Sequence, residues 1–162
     1  MTRLTDADLK PLSGLKQLRW LSLHGTKLTD AGLNELTSLD ELQTLYLSST
    51  DVTDAGLKQL ARLENLKELY LDRKLTDEGL TEVARLKQLT TLSLKSSKVT
   101  DAGLKQLAEL KELRSLDLRG TAITDEGLKS LAGLTNLTSL NLERTKICLL
   151  YTSDAADEVW GV

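Results

Sequence analysis

Leu110–Gly133 reads LKELRSLDLRGTAITDEGLKSLAG, and nearly everything from Leu4 to Ile147 is that unit written again. Full units begin at Leu15, Leu39, Leu63, Leu86, Leu110 and Leu134, with the back half of a unit in residues 1–14 and only a front half after Leu134. Each front half follows L-x-x-L-x-x-L-x-L-x-x-T-x-(L/V/I), and each back half follows T-D-(A/E)-G-L-x-x-L. A fixed period of this length marks a stack of like units, each unable to bury its apolar face alone.

The front half alternates at its centre: Leu21 and Leu23, Leu45 and Leu47, Leu69 and Leu71, Leu92 and Leu94, Leu116 and Leu118, Leu140 and Leu142. Alternation over so few residues predicts a short strand with its leucines inward. The back half switches to helical spacing, as in Leu57, Leu60, Ala61 and Leu63, which predicts one apolar face of a helix of two to three turns. Thr53-Asp54, Thr76-Asp77, Thr100-Asp101 and Thr124-Asp125 supply oxygens for the first unpaired helix amides and negative charge at the positive end of the dipole. One strand and one helix per unit predict an α/β solenoid over 1–147. About six parallel strands line its inner face and short helices its outer face. Helices are wider than strand spacing, so the stack curves with the sheet inside.

The paired patterns L-x-x-L-x-L-x-x-T-x-(L/I) and T-D-x-G-L-x-x-L resemble the leucine-rich repeat. The resemblance is to the subclass with a ribonuclease-inhibitor-like helical back half, of the Thr-Asp-x-Gly-Leu kind common in bacterial repeat proteins. It implies a horseshoe arc. Where many members carry Asn or Cys, this chain has Thr26, Thr50, Ser97, Thr121 and Thr145. The resemblance implies that these hydroxyls hydrogen-bond the turn of the next coil. Three departures stand out. Between Leu71 and Leu75 the third unit is one residue short and lacks the hydroxyl; a tightened turn is expected, with a functional notch as the lesser alternative. Asp8 takes the place of the usual Gly, and Pro11 interrupts the first helical stretch.

The repeat ends abruptly after Ile147, where Cys148 stands in place of the next Thr. Cys148–Glu158 resembles the translation of a sequencing-library adapter, which implies that 148–162 is artefactual and the chain a metagenomic fragment of a longer repeat protein. The alternative is a cap in which Ser153 starts a short helix and Ala156, Val159 and Trp160 cover the end of the core.

Composition narrows the function. Of 162 residues, 24 are acidic and 21 basic, interspersed, which leaves no basic stripe for nucleic acid. A lone cysteine makes no internal disulfide. The opening MTRLTDAD has no apolar stretch of signal-peptide length and no run approaches a membrane span, so the chain as written is expected in the cytoplasm and off the membrane. No cofactor or metal is expected: His24 has no Cys or His at ligand spacing, and Cys148 is the only thiol. An enzyme is therefore disfavoured.

Strand alternation sends three columns of side chains to the concave surface. They place Trp20, Ser22 and His24 on the first strand, Tyr46 on the second, Tyr70 and Asp72 on the third, and Lys95, Asp117 and Arg119 beyond. Aromatics held out on a sheet suit a binding surface, although they also stabilise strands through cross-strand contacts. The second half of the face reads more simply as a solvated, salt-bridged surface. The expected function is a non-catalytic module that binds an unknown protein on this face. The alternatives are a structural fragment with no complete site, or part of an enzyme or regulator whose catalytic domain lies elsewhere. An uncapped end also admits end-to-end self-association.

Overall fold

The structure, a computed structural model, describes residues 4–148. Six three-residue strands, β1 (Trp20–Ser22), β2 (Thr44–Tyr46), β3 (Glu68–Tyr70), β4 (Thr91–Ser93), β5 (Ser115–Asp117) and β6 (Ser139–Asn141), form one parallel sheet in sequence order. Every strand is the triplet centred on the first core leucine. Their register places Leu45 beside Leu69, then Leu92, then Leu116. The back halves supply α1 (Asp30–Leu36), α2 (Asp54–Leu57, continued by a 3-10 segment Lys58–Arg62), α3 (Asp77–Val83), α4 (Asp101–Leu107) and α5 (Asp125–Lys129). Sheet inside and helices outside make the curved α/β solenoid that the repeat predicts.

The core is a continuous leucine column between the layers. Leu45, Leu69 and Leu92 are fully buried, whereas Leu140 on the last strand is 37% exposed. Truncating one buried leucine to alanine costs about 2–5 kcal/mol, so the stack is held mainly by this column.

α1, α3 and α4 reach seven residues, about two turns, but α2 and α5 stop at four and five, short of the expected two to three turns. The reason lies in the L-x-x-L runs that follow them. Leu39 donates its N–H to the Leu36 carbonyl and Leu42 to Leu39, and Leu63 and Leu66 repeat the pattern. These i→i+3 turns take over from the helix and carry the chain down to the next strand. The first back half, Asp6–Gly14, is 3-10 throughout, with Pro11 inside it.

The Thr-Asp pairs do more than start helices. Thr29, Thr76, Thr100 and Thr124 each accept a hydrogen bond from the amide two residues on, as capping requires. The aspartates, however, reach the next repeat. Asp30 accepts from the Thr53 amide (2.7 Å) and hydroxyl (2.6 Å), and Asp54 accepts from the same groups of Thr76. Asp6 with Thr29, Asp77 with Thr100 and Asp101 with Thr124 complete five rungs. The glycine of each motif makes room. A methyl group on Gly79 would overlap the Asp54 carboxylate and the Leu75 side chain, and Gly32, Gly56, Gly103 and Gly127 face the aspartate behind them in the same way.

The hydroxyl column departs from the implied role. Thr26 donates to the Leu23 carbonyl, Thr50 to Leu47, Thr121 to Leu118 and Thr145 to Leu142, so each closes its own turn and does not bridge to the next coil. A threonine hydroxyl is too short to reach further once it lies against the carbonyl three residues back.

In the third unit the missing residue is the one with positive φ. Gly25, Ser49, Ser96, Gly120 and Arg144 adopt that conformation in the other turns, and no residue between Leu71 and Leu75 does. Leu75 closes the shortened turn by donating to the Asp72 carbonyl. A small cleft opens beside it, lined by Leu47, Thr50, Val52, Leu57 and Leu71, with Lys74 paired to Asp51 across its edge. Cys148 is exposed. The adapter reading of Cys148–Glu158 otherwise falls, like the cap built from Ser153, Ala156, Val159 and Trp160, outside the described residues.

Candidate concave binding surface

Parallel pairing in register stacks like positions side by side, so the columns named from the sequence become rows across the concave face. Tyr46 pairs with Tyr70, and their rings stack with centroids 4.0 Å apart and planes 5° from parallel. Trp20 lies 5.7 Å from the Tyr46 ring at 54°. The geometry follows from strand spacing: neighbouring strands lie about 4.8 Å apart, close to the distance at which two rings standing off a sheet meet face to face. Trp20, at the sheet edge with no strand beyond it among the described residues, is 58% exposed.

The Tyr70 hydroxyl lies 3.3 Å from Glu68, to whose carboxylate it donates. Burial first, then the neighbouring Tyr46 and Glu68, push the Tyr70 phenol well above its ordinary pKa, so it remains a neutral donor. Glu68 sits in the first outward column and was not singled out by the sequence; the signal was its register beside Thr44 and its place two residues before Tyr70 on the same face. Ser93, next to Tyr70 across β4, is buried although it points outward.

The remaining residues divide. Ser22 and His24 are exposed beside Trp20. Asp72 is committed internally: its carboxylate accepts from the Ser49 amide at 2.7 Å. In other turns the equivalent amide reaches a backbone carbonyl, as Gly25 reaches Ser48 and Gly120 reaches Glu143. The shortened third turn withdraws that carbonyl, and the Asp72 side chain replaces it. Asp117 and Arg119 form a fork on β5 and just after it, with Arg119 donating from Nε (3.0 Å) and Nη2 (2.6 Å). Partial burial disfavours the Asp117 charge, but the hydrogen bonds and charge of Arg119, with Lys95 nearby, hold its carboxyl below the usual range. Lys95 is exposed. The face therefore has an aromatic half on β1–β3 and a charged half on β4–β6. Among the described residues no three His, Cys, Asp or Glu side chains converge as a metal site, and no helix is long and apolar enough to cross a membrane.

A family model described as a leucine-rich repeat region matches residues 1–160. The chain belongs to the leucine-rich repeat family. Among solved structures it is similar to an internalin (inlF) of Listeria monocytogenes, with 26% identity and a TM-score of 0.69 over 89% of this chain. It is also similar to an internalin C2 (inlC2) of the same organism, with 27% identity and a TM-score of 0.68 over 93% of this chain. The chain spans 47% of the inlF structure and 71% of the inlC2 structure. Comparison with curated protein sequences returns no match.

Proposed function

We propose that this leucine-rich repeat chain is a non-catalytic protein-interaction module that binds its partner on the concave sheet, anchored by Trp20, Tyr46 and Tyr70. The observation that carries the reading is the contiguous aromatic row across β1–β3, with Trp20 held 58% exposed at its end. Rigid aromatics of this kind supply large contact area at small entropic cost and are enriched among binding hot spots. Ser22, His24 and Glu68 form its polar surround. The Asp117–Arg119 fork and Lys95 extend the surface, and because Arg119 is already paired it contributes orientation more than affinity.

The test compares partner capture by the native chain with capture by Trp20→Ala and by the double variant Tyr46→Ala, Tyr70→Ala. Lys105→Ala on the helix side serves as a control, and circular dichroism checks the fold. Loss of the same partner from both aromatic variants, with the control unaffected, supports the site. Undiminished capture by the double variant contradicts it. The 47% coverage of the inlF structure favours a second reading, in which further repeats complete the surface; that reading predicts weak capture by the native chain and strong capture by a longer array.

A further inference from the structure

We infer that Asp8 closes the Thr-Asp ladder at its Thr5 end, where it holds the two donors that a preceding repeat's aspartate would hold and fills the space that aspartate would need. Thr5 occupies the same motif position as Thr29, Thr53, Thr76, Thr100 and Thr124. Each of those threonines gives its amide and hydroxyl to the aspartate of the repeat before it. Thr5 gives both to Asp8, at 2.8 Å from the amide and 2.9 Å from the hydroxyl. Those hydrogen bonds also hold the Asp8 carboxyl below its ordinary pKa.

Asp8 stands where every later motif has glycine. At Gly32, Gly56, Gly79, Gly103 and Gly127 the preceding aspartate occupies the place of an added Cβ. Asp8 puts a Cβ and a second carboxylate into that place, so an incoming aspartate meets a steric clash and a like charge together. The edge is thus self-satisfied and refuses another Thr-Asp-x-Gly unit in register, whether from the same chain or from a second copy. End-to-end stacking through this edge meets the same obstacle.

The Thr5–Asp8 contact also has the form of an ordinary capping box, which would help the segment whatever lies before it. A change of sign separates the two roles. The experiment measures the denaturation midpoint of Asp8→Gly in two settings. One is the full chain. The other is the full chain with Met1–Arg3 replaced by Met and a copy of Thr100–Ala122, which sets a new aspartate one repeat before Thr5. Ladder closure predicts that Asp8→Gly lowers the midpoint in the full chain and speeds Thr5 amide exchange by about tenfold or more. In the extended chain the same substitution should raise the midpoint and restore Thr5 protection. A fall in both settings would reduce Asp8 to a capping residue and overturn the inference, as would a rise in the unextended chain.

Discussion

At the scale of single residues, the ladder explains why the Thr-Asp-x-Gly motif recurs unchanged in the five copies from Thr29 to Gly127 where surrounding positions vary. Gly79 gives the clearest test, because two principles predict opposite signs. Helix propensity alone says that Gly79→Ala stabilises α3 by about 1 kcal/mol. The Asp54 carboxylate and Leu75 side chain leave no room for the methyl group, and forcing it in costs about 1–3 kcal/mol. We expect net destabilisation in urea unfolding, partly relieved when Asp54→Ala is combined with it; a stabilised Gly79→Ala would remove the ladder as the reason for glycine. The sequence displayed the threonine's role plainly, since capping is local. The aspartate's role was hidden because its partner lies 22 or 23 residues away. A period shows that two positions are neighbours without showing which side chain turns toward which.

At the scale of elements, the strands were legible because leucine alternation fixes both their centres and their inward face, and the aromatic row followed once those centres were in register. Helix length was legible only in part, right at its lower bound for α1, α3 and α4 and too long for α2 and α5, because the same leucine spacing serves an α-helix and the i→i+3 turns that replace its last part. Nor could the sequence reveal that the shortened third turn would draw Asp72 into bonding Ser49, because that depends on where a carbonyl is missing. The β5 fork carries a prediction in pH. Arg119 holds the folded Asp117 pKa below its unfolded value, so the fork's stabilisation is complete above the unfolded value, about 3.9. It is lost as pH falls through the lowered folded one. In Arg119→Ala, burial remains and its main counterweight is gone, so the Asp117 pKa should rise toward or above its unfolded value, and the stability that this carboxylate contributes, and loses in acid, should shrink or change sign. Carboxyl-carbon NMR titration reads this directly; an unmoved Asp117 would mean that the guanidinium does not hold it.

At the scale of the molecule, the solenoid divides its labour between faces. Helix side, ladder and leucine column carry most of the stacking, and the concave side adds to it chiefly through the Tyr46–Tyr70 ring contact and the Asp72–Ser49 bond. The described aromatic residues all lie on the concave face and none on the helix face, and this asymmetry is the basis of the functional reading. The fold was readable from one repeated unit, and so was the placement of Trp20, Tyr46 and Tyr70 on adjacent strands of the concave surface. The partner was not, because a rigid platform specifies geometry and apolar area without naming what fits them. The most direct measurement places a photo-crosslinking amino acid in turn at Ser22 and Thr44 on the concave face and at Lys105 and Glu109 on the helix face. Each variant is then irradiated with the captured partner and the adduct located by mass spectrometry. The account predicts adducts from Ser22 and Thr44 and none from Lys105 or Glu109. Adducts confined to the helix face would contradict it.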